Sequence, residues 1–334
     1  MMKNILNRDN KKASLPGTEA SMKCLLKQGV NKSKQGLCAF MQVVISQQKT
    51  LGKIRTSEIY ESTLRSFLRF HGGDDITFDK LDSDIIKLYE AYLQNSCALT
   101  RNSSSFYLRV LRAVYNRAVE QQITKDLHPF RHVYTGVDKT VKRALPLNVL
   151  RRIKAFDLSA TPKLELARDL FLFSFYTRGM SFVDMAYLKR NNLKDGVLVY
   201  RRRKTGQTLQ IKWEKCMQDV IERHGYGVGD YLLPIIRTEG KDERLQYKSA
   251  LSSTNLLLKQ IGDKLRLSGT LSTYVARHSW ASVARCQNVP LPVISECMGH
   301  DNEKTTRIYL TSLETSVVDE ANDLVIRALL DGDS

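Results

Sequence analysis

Apolar residues recur at helical intervals through most of the chain, in two blocks. In the first, Leu37, Phe40, Met41, Val44 and Ile45 mark one amphipathic helix. Ile59, Tyr60, Thr63, Leu64, Phe67 and Leu68 mark a second, which stops at Gly72-Gly73. A third, with Ile85, Ile86, Leu88, Tyr89, Tyr92 and Leu93, follows a cap at Asp82 or Ser83. The fourth is the longest, setting Leu108, Val110, Leu111, Val114, Tyr115, Ala118 and Val119 against Arg101, Arg109, Arg112 and Arg117. Four short helices before His128-Pro129 predict a small bundle. Residues 129–145 mix Gly136, charge and β-branched side chains before Leu145-Pro146 and read as a linker, because proline disfavours helix in the residue before it.

The second block starts with a helix from Pro146, with proline in its first turn, to Phe156. An apolar helix over Leu164–Tyr176 follows, then one capped by Ser181 that carries Val183, Met185, Ala186 and Leu188. Gly196–Tyr200 and Thr208–Trp213 are β-rich and flank Lys204-Thr205-Gly206-Gln207, which is turn chemistry, so a hairpin is predicted with Lys204 at its tip. Glu214–His224 and Ser249–Leu265 are further amphipathic helices on either side of the apolar run Tyr231–Ile236. From Thr273 onward, Ala281, Val283, Ala284, Val289, Val293 and Ile294 hold two more helices, and Thr315–Leu330 is amphipathic again. The predicted fold is mainly α with a small β-hairpin or sheet.

Charge sharpens this picture. The 334 residues include 52 Lys plus Arg against 35 Asp plus Glu, a net charge of +17. Such an excess favours a polyanionic partner through attraction and counterion release, with nucleic acid first and a ribosomal or anionic-membrane surface as the competing reading. Residues 1–35 carry eight Lys or Arg against Asp9 and Glu19 with few large apolar side chains, and are expected to form a flexible basic arm or a solvated tail. No run of about 18 uncharged apolar residues predicts a membrane span, and the opening MMKNILNRDNKK lacks the apolar core of a secretory signal. The six cysteines form no CxxC pair and are expected to be reduced thiols in a cytoplasmic protein, without zinc.

The polar groups with chemical potential concentrate in Thr273–Leu310. Arg277-His278 heads an apolar helix, Met298-Gly299-His300 follows a second short helix, and Tyr309 lies beyond it. Arg178 precedes Gly179 at the junction of two apolar helices, where a guanidinium can aim a planar fork at two phosphate oxygens. Each has a plainer reading: Arg178 as a partner of Asp184, His278 as a buried structural residue, His300 as a helix-end cap and Tyr309 as a core aromatic. Arg203 is the rival of Lys204 at the hairpin.

In this order Arg178, Lys204, Arg277-His278, Met298-Gly299-His300 and Tyr309 resemble the signature of the tyrosine recombinases, or phage integrase family. The resemblance spans residues 147–331. It implies that residues 36–128 are a helical core-binding domain, joined by the linker 129–145 to a catalytic domain over 146–334 with a C-terminal exchange helix that docks on a neighbouring protomer. The two domains would clamp double-stranded DNA, with Lys139, Lys142 and Arg143 crossing the backbone and Arg55, Arg101 and Arg109 as phosphate contacts. Tyr309 would attack a phosphodiester to give a 3′-phosphotyrosine while Arg178, Arg277 and His300 hold the phosphate and Lys204 protonates the leaving 5′ oxygen. Tyr274 stands where the family has histidine, and its phenol can donate a hydrogen bond but not carry positive charge near neutral pH.

The resemblance also implies no metal or cofactor, self-association on DNA as a tetramer, accessory DNA-bending proteins, and a cytoplasmic, nucleoid-associated setting of bacterial or mobile-element type. Site-specific integration, excision or inversion is the expected activity. The alternatives are a type IB topoisomerase-like relaxing enzyme and a catalytically silent DNA-binding protein of the same fold. More distant readings are a metal-dependent nuclease using His278, His300 and Asp301, and a Cys297-His300 thiol hydrolase.

Overall fold

The computed structural model describes residues 36–138 and 144–300, together with Thr306, Asn322 and Ile326. Several sequence expectations therefore lie outside the described residues: the arm 1–35, the trio Lys139, Lys142 and Arg143, Asp301, Tyr309, and the helix over 315–330 apart from Asn322 and Ile326. The chain divides into two compact units between Thr140 and Val141.

The first unit is built from α1 (Leu37–Thr50), α2 (Ile54–Phe70), α3 (Ser83–Ala91) and α4 (Arg101–Glu120). Most of the periodic apolar positions are buried: Phe40, Met41, Val44, Phe67, Tyr89, Leu108, Leu111, Val114 and Tyr115 share one core, whereas Leu88 of α3 is exposed. Asp82 caps α3, its Oδ1 accepting from the backbone N–H groups of Asp84 and Ile85 at 3.0 and 2.9 Å, a contribution of about 1 kcal/mol. Thr100 caps α4 in the same manner.

The expected linker, 129–145, is corrected over its first ten residues. Phe130 is buried in the first core beside the Tyr115 ring, with centroids 5.9 Å apart. Ser105 Oγ donates to the Gly136 carbonyl at 2.5 Å, and Asn102 exchanges hydrogen bonds with the Asp138 backbone at 3.0 and 2.7 Å. Small polar side chains on α4 satisfy backbone groups that a free linker leaves to water, so 129–138 is part of the first unit.

The second unit comprises α5 (Leu147–Ala155), α6 (Pro162–Tyr176), α7 (Phe182–Ala186), strands β1 (Leu193–Lys194), β2 (Val197–Arg201) and β3 (Thr208–Lys212), then α8 (Lys215–His224), α9 (Glu243–Lys264), α10 (Thr273–Cys286) and α11 (Leu291–Cys297). The strands form one antiparallel sheet in the order β1-β2-β3, with Tyr200 opposite Leu209 and Arg201 opposite Thr208. Helix α6 is buried on almost every side, through Leu164, Ala167, Leu170, Phe171, Leu172 and Phe173. That fits its near-continuous apolar sequence, since a helix without a polar side needs neighbours all round. Helices α5, α8, α9 and α10 pack on it. Pro146 is the N-cap of α5 rather than a residue of its first turn. No helix among the described residues is long and apolar enough to cross a membrane.

Beside the apolar core, Asp169 of α6 accepts from Arg168 Nε at 2.8 Å, Arg223 Nη1 at 2.5 Å and His224 Nε2 at 2.7 Å. Burial alone would raise the Asp169 carboxyl, but the His224, Arg168 and Arg223 donors outweigh it and hold it at about 2. The charge is buried and fully partnered, which ties α6 to α8.

Candidate active site

Arg178 sits in the turn between α6 and α7, half-buried, with a left-handed backbone (φ +60°) that costs of order 1 kcal/mol or more. The turn is held by the Gly179 N–H donating to the Ser174 carbonyl at 2.8 Å and by Ser174 Oγ donating to the Met180 carbonyl at 2.7 Å. Gly179 also has positive φ (+74°), and a Cβ there would lie 2.8 Å from Arg277 Cα. Only glycine lets these two backbones touch.

That contact brings Arg277 of α10 to the turn across 98 residues of sequence: Nη1 donates to the Gly179 carbonyl at 2.8 Å. Nη2 donates to the Met298 carbonyl at 2.7 Å and to His300 Nε2 at 2.9 Å. A guanidinium has no lone pair to offer, so His300 Nε2 is the acceptor and the ring proton is on Nδ1, which faces Thr306 Oγ1 at 2.8 Å. Burial, then the charges of Arg277, Arg202 and Lys204, push His300 down to about 4. The imidazole is neutral near pH 7.

The β2–β3 hairpin supplies the third side. Its turn presents Lys204 exposed, near enough for its charge to act on His300. Arg203 is committed elsewhere: its guanidinium lies 3.9 Å over the Tyr187 ring, and its N–H donates to Asp184 Oδ1 at 2.9 Å. The other Asp184 oxygen accepts from Ser181 Oγ at 2.6 Å. Asp184 therefore anchors the hairpin to the start of α7 rather than pairing with Arg178. Arg202, on the same hairpin, is buried and donates through Nη1 to the Gly299 carbonyl.

Two overlapping sets of charges tie these groups into one region. Arg277, Arg202 and Arg178 all act on the buried Tyr200 hydroxyl, which burial and Asp184 nonetheless hold above its usual range. Arg277, Arg202 and Lys204 act on His300. Four of the residues singled out from sequence, Arg178, Lys204, Arg277 and His300, thus lie in one region. The three cations among them, Arg178, Lys204 and Arg277, favour one tetrahedral oxyanion and extra negative charge on it, with the neutral His300 beside them.

Tyr274 is placed differently. It is 57% exposed in the first turn of α10, its ring edge-on to His278 with centroids 4.5 Å apart. His278 is buried, in accord with a structural role. Sequence reasoning missed Arg202, Thr306 and the anchoring role of Asp184. Arg202 carried a readable signal: Leu198, Tyr200 and Arg202 are the buried alternate positions of one strand and its extension.

In the first unit, Arg101 stacks 3.8 Å over the Tyr134 ring and lies 3.7 Å from Asp138, while Arg55 pairs with Glu58 at 3.4 Å. These two arginines are engaged within their own unit.

Residues 36–133 match the family model described as the phage integrase SAM-like domain. Along the chain, tyrosine recombinase XerC of Leptospira interrogans is 20% identical over 262 residues, covering 77% of this chain and 82% of that protein. Tyrosine recombinase XerA of Thermococcus kodakarensis is 25% identical over 261 residues, covering 76% and 83%. Among solved structures, a lambda integrase tetramer bound to a Holliday junction superposes with a TM-score of 0.61 at 16% identity, covering 91% of this chain and 88% of that one.

Proposed function

Because the chain belongs to the tyrosine recombinase family, we propose that it is a site-specific recombinase that cleaves and rejoins double-stranded DNA through a covalent 3′-phosphotyrosine. The observation that carries this reading is the Arg277 fork, which bonds the Gly179 carbonyl of the Arg178 turn and His300 at once. It joins three sequence-distant groups suited to one phosphate.

In this reading Tyr309 Oη bonds to the scissile phosphorus, the bond from phosphorus to the 5′ oxygen breaks, and Lys204 gives that oxygen its proton. An unperturbed phenol is ionised in only about one molecule in a thousand at pH 7. The reaction therefore depends on donors that favour the transition state. Arg178 and Arg277 take the non-bridging oxygens, and removing one such donor costs about 10²- to 10³-fold. Neutral His300 keeps a lone pair on Nε2 that can accept the phenolic proton once the phosphate engages the Arg277 fork. Tyr274, exposed at the head of α10, adds a phenolic donor to the phosphate where histidine is usual.

The phosphotyrosine conserves the energy of the broken bond, so rejoining needs no nucleotide or metal. The partners are duplex DNA and further copies of the chain, assembled as a tetramer about a four-way junction, in a cytoplasmic, nucleoid-associated setting. Residues 36–138 form the core-binding domain and 146–334 the catalytic domain, with the terminal segment as its exchange helix.

The test is a nicked duplex carrying the protein's own site, on which cleavage strands the intermediate. The parental protein should migrate as a covalent adduct under denaturing conditions, and Tyr309→Phe should form none while binding DNA with parental affinity. An adduct in the phenylalanine variant would discard Tyr309 as the nucleophile.

A further inference from the structure

We propose that Arg202 is a positioning residue that locks the Lys204 hairpin to the Gly299-His300 turn, so that the lysine and the histidine are placed as one unit. This rests on the recombinase reading of the site. Arg202 is 6% exposed, and no ion pair among the described residues includes it. A buried guanidinium is costly to keep unless it does something an apolar side chain cannot.

Its backbone frames the loop that presents Lys204: the Arg202 N–H donates to the Gln207 carbonyl, and the Gly206 N–H donates to the Arg202 carbonyl, each at 2.8 Å. Its side chain reaches across 97 residues of sequence to the Gly299 carbonyl, immediately before His300. The fit is close from the other side as well. Gly299 has φ +63°, and a Cβ there would stand 2.7 Å from Arg202 Cδ, 3.0 Å from Gln207 Oε1 and 3.1 Å from Leu209 Cδ1.

The same side chain also acts on the electrostatics of His300. That ring is faced by Arg277 from α10, by Arg202 and Lys204 from the hairpin, and by the neutral Thr306 hydroxyl. Arg202 therefore helps to keep His300 neutral as well as in place.

Two substitutions separate these effects in the full-length protein. Arg202→Lys keeps the charge and loses the fork, so adduct formation on the nicked duplex should slow by about 10- to 100-fold, as for a misplacement of order 1 Å. The His300 titration, followed by NMR without DNA, should stay near 4. Arg202→Gln removes both, slowing cleavage at least as much and moving the His300 midpoint upward by about half a unit or more. A purely structural arginine would lower thermal stability without moving that midpoint.

The proposal is overturned if folded Arg202→Gln leaves the midpoint in place, or if Arg202→Lys cleaves within threefold of the parental rate. Should Arg202→Gln fail to fold, Gly299→Ala strains the same contact from the opposite side. It must then slow cleavage without weakening DNA binding, and parental cleavage there also overturns the proposal. If the parental protein forms no adduct at all, the recombinase reading fails, and the His300 titration still decides the Arg202 contact.

Discussion

Replacing Gly179 by alanine separates a tight fit from a merely flexible turn at the point where the Arg178 loop meets α10. Two costs add. The backbone has φ +74°, a region that costs a residue with a Cβ about 1–2 kcal/mol. The new Cβ would also stand 2.8 Å from Arg277 Cα and 2.9 Å from its Cγ, against about 3.5–4.0 Å for a relaxed carbon pair. Relief requires one backbone to move by about 0.8 Å against the other, and overpacking of this kind costs about 1–3 kcal/mol. The sum is about 2–5 kcal/mol. For a domain of this size each kcal/mol lowers Tm by about 2–4 °C, so a fall of about 4–20 °C is expected. Because the displaced element carries Arg277, adduct formation should drop by about 10²-fold, the usual consequence of misplacing a reacting group by about 1 Å.

Gly196 provides the control. Its φ is +72°, yet nothing lies within 4 Å of the position a Cβ would take. Gly196→Ala meets the backbone cost alone, about 1–2 kcal/mol, and should cleave at close to the parental rate. Scanning calorimetry and the nicked-duplex assay on both variants give the comparison. Equal Tm values and equal rates for the two alanines would refute the close-approach reasoning, because strain would then be the whole effect.

The proton assigned to Lys204 can be tested by changing what it protonates. Lys204→Gln should slow adduct formation by about 10²- to 10⁴-fold on an ordinary phosphodiester. On a substrate with sulfur in place of the bridging 5′ oxygen, whose thiolate leaves unprotonated, it should recover most of the parental rate. Equal slowing on both substrates would remove the lysine from proton transfer. At Asp169 the folded carboxyl is held at about 2 against an ordinary 3.8. Its stabilisation is therefore present above about pH 4 and is lost as pH falls through 2, a difference of about 2 kcal/mol. Asp169→Asn should be about 3–5 kcal/mol less stable at pH 7, since it leaves Arg168, Arg223 and His224 short of their anion. The gap in urea midpoint between the two proteins should narrow between pH 4 and pH 2; a constant gap would contradict the assignment.

Where one side of an element is buried and the other is wet, the fold was legible in the sequence. Most of the periodic positions of α1 to α4 reappear as one core, and Asp82 and Ser181 cap the helices they precede. Failures came where burial follows from something other than apolar periodicity. Helix α9 begins at Glu243 rather than Ser249 because its first turns are Glu243, Arg244, Gln246 and Lys248 around Leu245 and Tyr247, with only the Asp242 cap to announce them. Strand β1 has two residues, Leu193 and Lys194, too few to alternate. Residues 129–138 looked like a linker because their attachment runs through Asn102 and Ser105, whose hydrogen bonds to distant backbone leave no mark on composition.

The site divides along a similar line. Arg178, Lys204, Arg277 and His300 could be picked out by order and residue type, since a phosphate favours cations around it; Arg178, Lys204 and His300 stand at a helix junction or a turn, and Arg277 lies within α10. What order cannot encode is how the charges divide their labour. Three arginines in a row on the hairpin look alike in sequence, yet alternation turns Arg202 inward to Gly299, a ring holds Arg203 over Tyr187, and the turn leaves Lys204 exposed. His300 shows the same limit. Its histidine identity allows either charge state near neutral pH, and only burial beside Arg277, Arg202 and Lys204 makes it neutral. The proposed chemistry thus depends on an accumulation of like charges that sequence spacing does not express. Such an accumulation is tolerable in a folded protein when the partner it awaits is itself an anion.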